Sequence, residues 1–108
     1  RLPIKFNPID FTSLNLTFQE FPTDRKKIQD IARQVCNEGG HLGTIFNAAN
    51  EVAVESFLND QITFEKIYEV IYRTFDSSNM SKEVSIESIN EVDAQTRIQA
   101  HKVVKSFA

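Results

Sequence analysis

Apolar residues recur every three or four positions in four successive stretches of the chain, and helix breakers close the first three, a pattern that a bundle of short helices satisfies. The first stretch starts near Asp24 and carries Ile28, Ile31, Ala32, Val35 and Cys36 until Gly39-Gly40 stops it. The second carries Leu42, Ile45, Phe46, Ala49, Val52, Ala53 and Phe57. Its small residues Ala48, Ala49 and Ala53 leave room for a close neighbour, which marks it as the central helix. Asn59-Asp60-Gln61 breaks the period. Thr63 then offers an N-cap with Glu65 in the first turn, and Phe64, Ile67, Tyr68, Ile71, Tyr72 and Phe75 line a third helix that fades into Asp76-Ser77-Ser78-Asn79. A fourth starts near Ser85 and runs through Ile86, Ile89, Val92, Ala100, Val103, Val104 and Phe107, about six turns. Short connections place consecutive helices side by side, so the expected fold is all-α, a small antiparallel four-helix bundle over residues 24–108.

Residues 1–23 follow a different rule. Pro3, Pro8 and Pro22 fix their own φ and bias their predecessors away from helix. Between them Leu14, Leu16 and Phe18 alternate with Asn15, Thr17 and Gln19, the period of a half-buried strand. The expectation is an extended arm with one short strand, which either lies along the helices or pairs with another part of a parent chain. The start at Arg1 rather than Met fits a processed product or a piece of something longer.

Composition narrows the function. In 108 residues, 41% hydrophobic, there is material for one core. Twelve Lys+Arg against 15 Asp+Glu leave a net charge of −3, and the one basic run, Arg25-Lys26-Lys27, has Asp24 before it and Asp30 close behind, so no nucleic-acid partner is expected. No apolar run approaches the roughly 20 residues that cross a bilayer, so no membrane partner is expected either. The single Cys36 cannot close an intrachain disulfide, and its place on the first apolar stripe makes it a core thiol. His41, in the turn after Gly40, and His101, in the last helix, have no second ligand at metal-binding spacing and read as surface or helix-end side chains. Gly39, Gly40 and Gly43 lack the spacing of a phosphate-binding loop. No catalytic, cofactor-binding or metal-binding residue is expected.

Two polar groupings stand out. Asn47, Asn50 and Glu51 lie within about one and a half turns among small apolar residues, where asparagine is a poor helix former. They are expected to form a buried polar clamp that bonds neighbouring backbone and fixes helix register; the competing reading makes Glu51 an acid, base or ligand. Asp93 and Arg97 are four apart in the last helix and can pair acid-first.

The run Phe46-Asn47-Ala48-Ala49-Asn50-Glu51-Val52-Ala53-Val54, followed by Phe57-Leu58 and Ile62-x-Phe64-x-x-Ile67, resembles the C-terminal helical domain of 1-deoxy-D-xylulose 5-phosphate reductoisomerases. The resemblance covers nearly the whole chain. Arg1-Leu2-Pro3 is similar to the end of the family's Tyr-Pro-x-Arg segment, Leu16-Thr17-Phe18 to its Leu-Thr-Phe, Gly39-Gly40 to its paired glycines, and Asp93 with Arg97 to its Asp-x-x-x-Arg. After Arg25 the family has Phe-Pro where this chain has Lys26-Lys27, which lets the first helix start earlier. The resemblance implies a parent that converts 1-deoxy-D-xylulose 5-phosphate to 2-C-methyl-D-erythritol 4-phosphate with NADPH and Mg²⁺ or Mn²⁺. It also implies a homodimer in the bacterial cytoplasm or a plastid. Nucleotide, metal and substrate residues would lie in other domains, and this domain would pack on the catalytic domain of the same chain. A free-standing helical interaction module is the alternative.

Overall fold

A computed structural model describes residues 3–78 and 83–107. Arg1 and Leu2 of the Arg-Leu-Pro resemblance and Asn79 of the third loop lie outside these residues. Four helices carry the fold: α1 Lys26–Glu38, α2 Leu42–Leu58, α3 Phe64–Asp76 and α4 Ile86–Lys105.

Backbone chemistry at the helix ends sets these limits. A 3-10 turn over Thr23–Arg25 leads directly into α1 at Lys26. Gly39 at φ 65°, ψ −135° and Gly40 at φ 61° occupy conformations that a side chain disfavours, and the Gly39 N–H closes α1 on the Val35 carbonyl at 3.0 Å. At the end of α2, Asp60 takes φ 56° and the Gln61 N–H reaches the Ser56 carbonyl at 2.9 Å. Thr63 stands at the N-cap of α3 in extended conformation, but its side chain makes no cap bond; the Glu65 carboxyl in the first turn is held below its ordinary value, first by its own backbone N–H and then by the Thr63 hydroxyl. Ser85 caps α4 reciprocally, with Ser88 N–H to Ser85 Oγ at 3.1 Å and Ser85 N–H to Ser88 Oγ at 2.8 Å.

Helix α2 is the centre, as its alanines predict. Ala48, Ala49 and Ala53 have no exposed surface, and Ile45 and Val52 almost none. Val52, Ala53, Ile62, Ile67, Val70, Ile71, Ala100, Val103 and Val104 form one cluster drawn from α2, α3, α4 and the loop before α3, flanked by Ile28, Phe46, Phe57 and Phe107. Each fully buried Val or Ile in it contributes about 1.5–3 kcal/mol relative to exposure. Helix α3 runs back along α2: Phe57 near the end of α2 meets Phe64 at the start of α3 edge-on at 5.8 Å, while Ile45 shares a cleft with Ser77 and Ser78 past its far end. Helix α4 reverses again and so runs parallel to α2. Tyr68, Tyr72 and Phe75 are half-buried. Lys66 and Arg73 of α3 lie 4.5 and 5.0 Å from the Phe107 ring, which holds the end of α4 against α3.

Three expectations are corrected. Cys36 is exposed, because α1 buries only Ile31 fully, with Ile28 and Val35 half-buried on the same line; at about 100° per residue Cys36 lies roughly 110° around the helix from that line. His41 stands at the N-cap of α2, the helix-end place expected of it, but it is buried rather than at the surface, 2% exposed and folded under the start of α2 by the two glycines. Among the described residues there is no strand. Leu14 is extended at φ −85°, ψ 133°, yet nothing lies beside it to complete a ladder. The arm instead contains one short 3-10 turn, Phe11–Ser13, in which the Asp10 carboxylate accepts from Thr12 N–H at 3.0 Å and Thr12 Oγ1 at 2.6 Å.

Candidate functional site

The parallel course of α2 and α4 brings the two polar groupings together. Asn47 and Glu51, one turn apart on α2, face Asp93 and Arg97, one turn apart on α4. The Arg97 guanidinium donates to Asp93 through Nε at 2.7 Å and Nη2 at 3.2 Å, and Nη2 also donates to Glu51 Oε2 at 2.6 Å across the helix seam. Asn47 Nδ2 donates to Glu51 Oε1 at 2.9 Å. Three helix-surface bonds thus converge on one arginine, whose planar fork suits two carboxylates at once.

The cluster is not buried as expected. The side chains of Arg97, Asp93 and Glu51 are 37%, 36% and 50% exposed, and Asn47 is exposed. Glu51 and Asn47 bond each other's side chains rather than backbone, because both point away from the alanine face that α2 buries. Asn50 is half-buried one turn before Val54, in an open depression with Glu55, Leu58 and Asn59, and is not joined to Arg97.

Electrostatics follow the geometry. Hydrogen bonding to Asp93 first and Glu51 second pushes the Arg97 pKa upward. The Glu51 carboxyl is held below the ordinary glutamate value of 4.5, chiefly by the Arg97 hydrogen bond and then by Asn47, with the nearby Asp93 charge opposing. A carboxylate so engaged stays ionised at neutral pH and is ill suited to deliver a proton.

A second stitch between α2 and α4 is absent from the sequence reading. His41 Nε2 lies 2.9 Å from Ser88 Oγ, the hydroxyl that also completes the α4 cap. The Ser85-x-x-Ser88 spacing signals the cap, but nothing local signals that a histidine 47 residues earlier would reach it. His101 is exposed on α4. Among the described residues no three His, Cys, Asp or Glu side chains are grouped to hold a metal ion, and no helix is long and apolar enough to cross a membrane.

Comparison with known proteins gives the same direction from every side. Residues 1–99 match the model of the DXP reductoisomerase C-terminal domain. The 1-deoxy-D-xylulose 5-phosphate reductoisomerase of Shewanella frigidimarina is 38% identical over 108 residues, covering 99% of this chain and 27% of the relative. That of Porphyromonas gingivalis is 32% identical, covering 99% and 28%. The solved structure of 1-deoxy-D-xylulose 5-phosphate reductoisomerase from Zymomonas mobilis in complex with NADPH matches with a TM-score of 0.80 at 30% identity, over 98% of this chain and 28% of that one. The chain spans just over a quarter of the length of these relatives. With its helices and its motif residues in one fold, the chain belongs to the DXP reductoisomerase C-terminal domain family.

Proposed function

We propose that this chain is the helical domain of a 1-deoxy-D-xylulose 5-phosphate reductoisomerase. Its parent forms 2-C-methyl-D-erythritol 4-phosphate with NADPH and a divalent cation, and the bundle supports the catalytic part without supplying a reacting group. The observation that carries the supporting role is the Glu51–Arg97–Asp93 cluster. The two most family-like polar pieces of the sequence engage one another across α2 and α4, and Glu51 is occupied by two donors. The described residues fit neither cofactor: they offer no grouped metal ligands and no glycine-rich phosphate loop, so no chemical step is assigned to them.

The division into an arm, residues 1–23, and a bundle, residues 24–108, is part of this reading. It is supported by the contrast between the exposed side chains of residues 3–23 and the packed helices. A homodimeric parent is also part of this reading, as is a bacterial cytoplasmic location, the latter supported by the bacterial sources of the relatives.

The test is NADPH-dependent turnover of 1-deoxy-D-xylulose 5-phosphate by three samples: the full-length parent, the parent cut before Arg1, and the cut parent with this chain added back. Turnover is expected in the first, a large loss in the second and none from this chain alone. An inactive parent, or oxidation of NADPH by this chain with substrate and Mn²⁺, overturns the proposal.

A further inference from the structure

The arm exposes more large apolar side chains than its length accounts for. Ile4, Phe6, Ile9, Phe11, Leu14, Leu16, Phe18 and Phe21 are all at least 46% exposed, with Phe18 at 88%. The exposed large apolar residues of α2, α3 and α4, such as Val54, Leu58, Phe64 and Ile98, are spread over three helices instead. Within the arm the spacing is two: Ile4 with Phe6, Ile9 with Phe11, and Leu14, Leu16 and Phe18 in one run. Asn15, Thr17 and Gln19 take the alternate positions, so one face of an extended segment is apolar and the other polar. No proline falls between Pro8 and Pro22, which leaves every amide of residues 14–19 able to donate to a ladder. These residues have the sequence of a strand and extended backbone at Leu14, and they lack only a neighbour. With the arm held away from the bundle, the radius of gyration is 18.3 Å, against about 13 Å for a compact chain of this length.

We infer that residues 14–19 add as an edge strand to the preceding part of the same polypeptide, with Leu14, Leu16 and Phe18 buried against it. The occupant follows from chain length. The matching family is a C-terminal domain, and the relatives are nearly four times as long, so nearly three quarters of such a protein precedes the arm. A partner tethered at the arm's own start has a high effective concentration, which a second copy in dilute solution lacks. Main-chain bonds give such a strand its hold and the alternate side chains give it its register. The inference rests on the proposed function for the existence of that preceding part, and it names the arm as the element that fastens the bundle to it.

Residue-resolved hydrogen exchange on the full-length parent and on this chain tests it. In the parent, alternate amides across residues 14–19 are expected to exchange slower than in this chain by on the order of 100-fold, the alternation being the mark of an edge strand. Equal exchange in the two proteins overturns the inference. Protection that appears in this chain and grows with its concentration assigns the strand to a second copy and also overturns it. In a Leu16→Asp/Phe18→Asp parent the arm is expected to lose its protection while the α2 and α4 amides keep theirs; retained arm protection in that variant counts against the inference. Exchange is read without turnover. A protected arm in a parent that fails to reduce 1-deoxy-D-xylulose 5-phosphate refutes the proposed activity and leaves the strand standing.

Discussion

Thr74 has no exposed surface on the inner face of α3, and its Oγ1 has no hydrogen-bond partner among the described residues. Its carbonyl, in contrast, accepts from Ser77 Oγ at 3.0 Å and Ser78 Oγ at 2.7 Å. A buried hydroxyl without a partner costs about 1–3 kcal/mol. Valine keeps the branched shape and replaces the hydroxyl with a methyl group, and its helix propensity is close to that of threonine. Thr74→Val is therefore expected to stabilise the chain by about 1 kcal/mol, a rise in Tm of about 4–8 °C for a domain of this size. Thr74→Ser keeps the unpaired hydroxyl and deletes a buried methyl, so it is expected to lose about 1 kcal/mol. Urea titrations of the three proteins, followed by helical circular dichroism at pH 7, give the order. Valine above threonine above serine supports the account. Valine below threonine by about 1 kcal/mol shows that the hydroxyl is satisfied and refutes it.

Glycine substitutions separate conformation from space. A Cβ at Gly39 meets nothing within 4 Å, so Gly39→Ala costs only backbone strain, about 1–3 kcal/mol by urea titration, whereas Gly43→Ala in the first turn of α2 gains up to about 0.5–1 kcal/mol by removing glycine's backbone entropy, its Cβ fitting at an ordinary 3.8 Å from Val35 Cγ1. A double-mutant cycle on Asp93 and Arg97 is expected to give about 0.3–1 kcal/mol of coupling, since both side chains are more than a third exposed, and less in 1 M salt. Glu51 is held below 4.5, so its contribution to stability is complete above that value and is lost as pH falls through the lower folded value. Denaturation midpoints measured between pH 6 and pH 3 should fall more steeply for the native chain than for Glu51→Gln, and equal slopes would contradict the linkage.

What the sequence discloses and what it hides divide along chain distance. The helix limits are local: Gly39-Gly40, Asn59-Asp60-Gln61 and Ser85 act on backbone within a turn or two, and α1 and α2 end, and α4 begins, where those residues stand. The pair Asp93–Arg97 is equally local, being four apart on one helix. The meeting of Arg97 with Glu51, 46 residues away, depends on α4 running parallel to α2, which no pattern within either helix encodes. The same holds for His41 beside Ser88. Cys36 shows the limit of a pattern that is too generous: α1 lies at the margin of the bundle and buries only a narrow line, and a five-residue apolar stripe overstates it. The strand expected at residues 14–19 shows the opposite limit, since a period-two pattern describes half of a ladder.

The parallel pairing of α2 with α4 has a consequence for the order of events in folding. Helices α2 and α3 are joined by a short turn and meet without closing a long loop, whereas the Glu51–Arg97 contact closes 46 residues of chain and waits until α3 is in place. The seam between α2 and α4 is then expected to assemble last and open first, which hydrogen exchange along the two helices checks. Replacing Arg97 is accordingly expected to speed unfolding, by no more than about fivefold for so exposed a pair, and to leave the folding rate nearly unchanged, so its effect falls on how long the folded state lasts rather than on how quickly it forms.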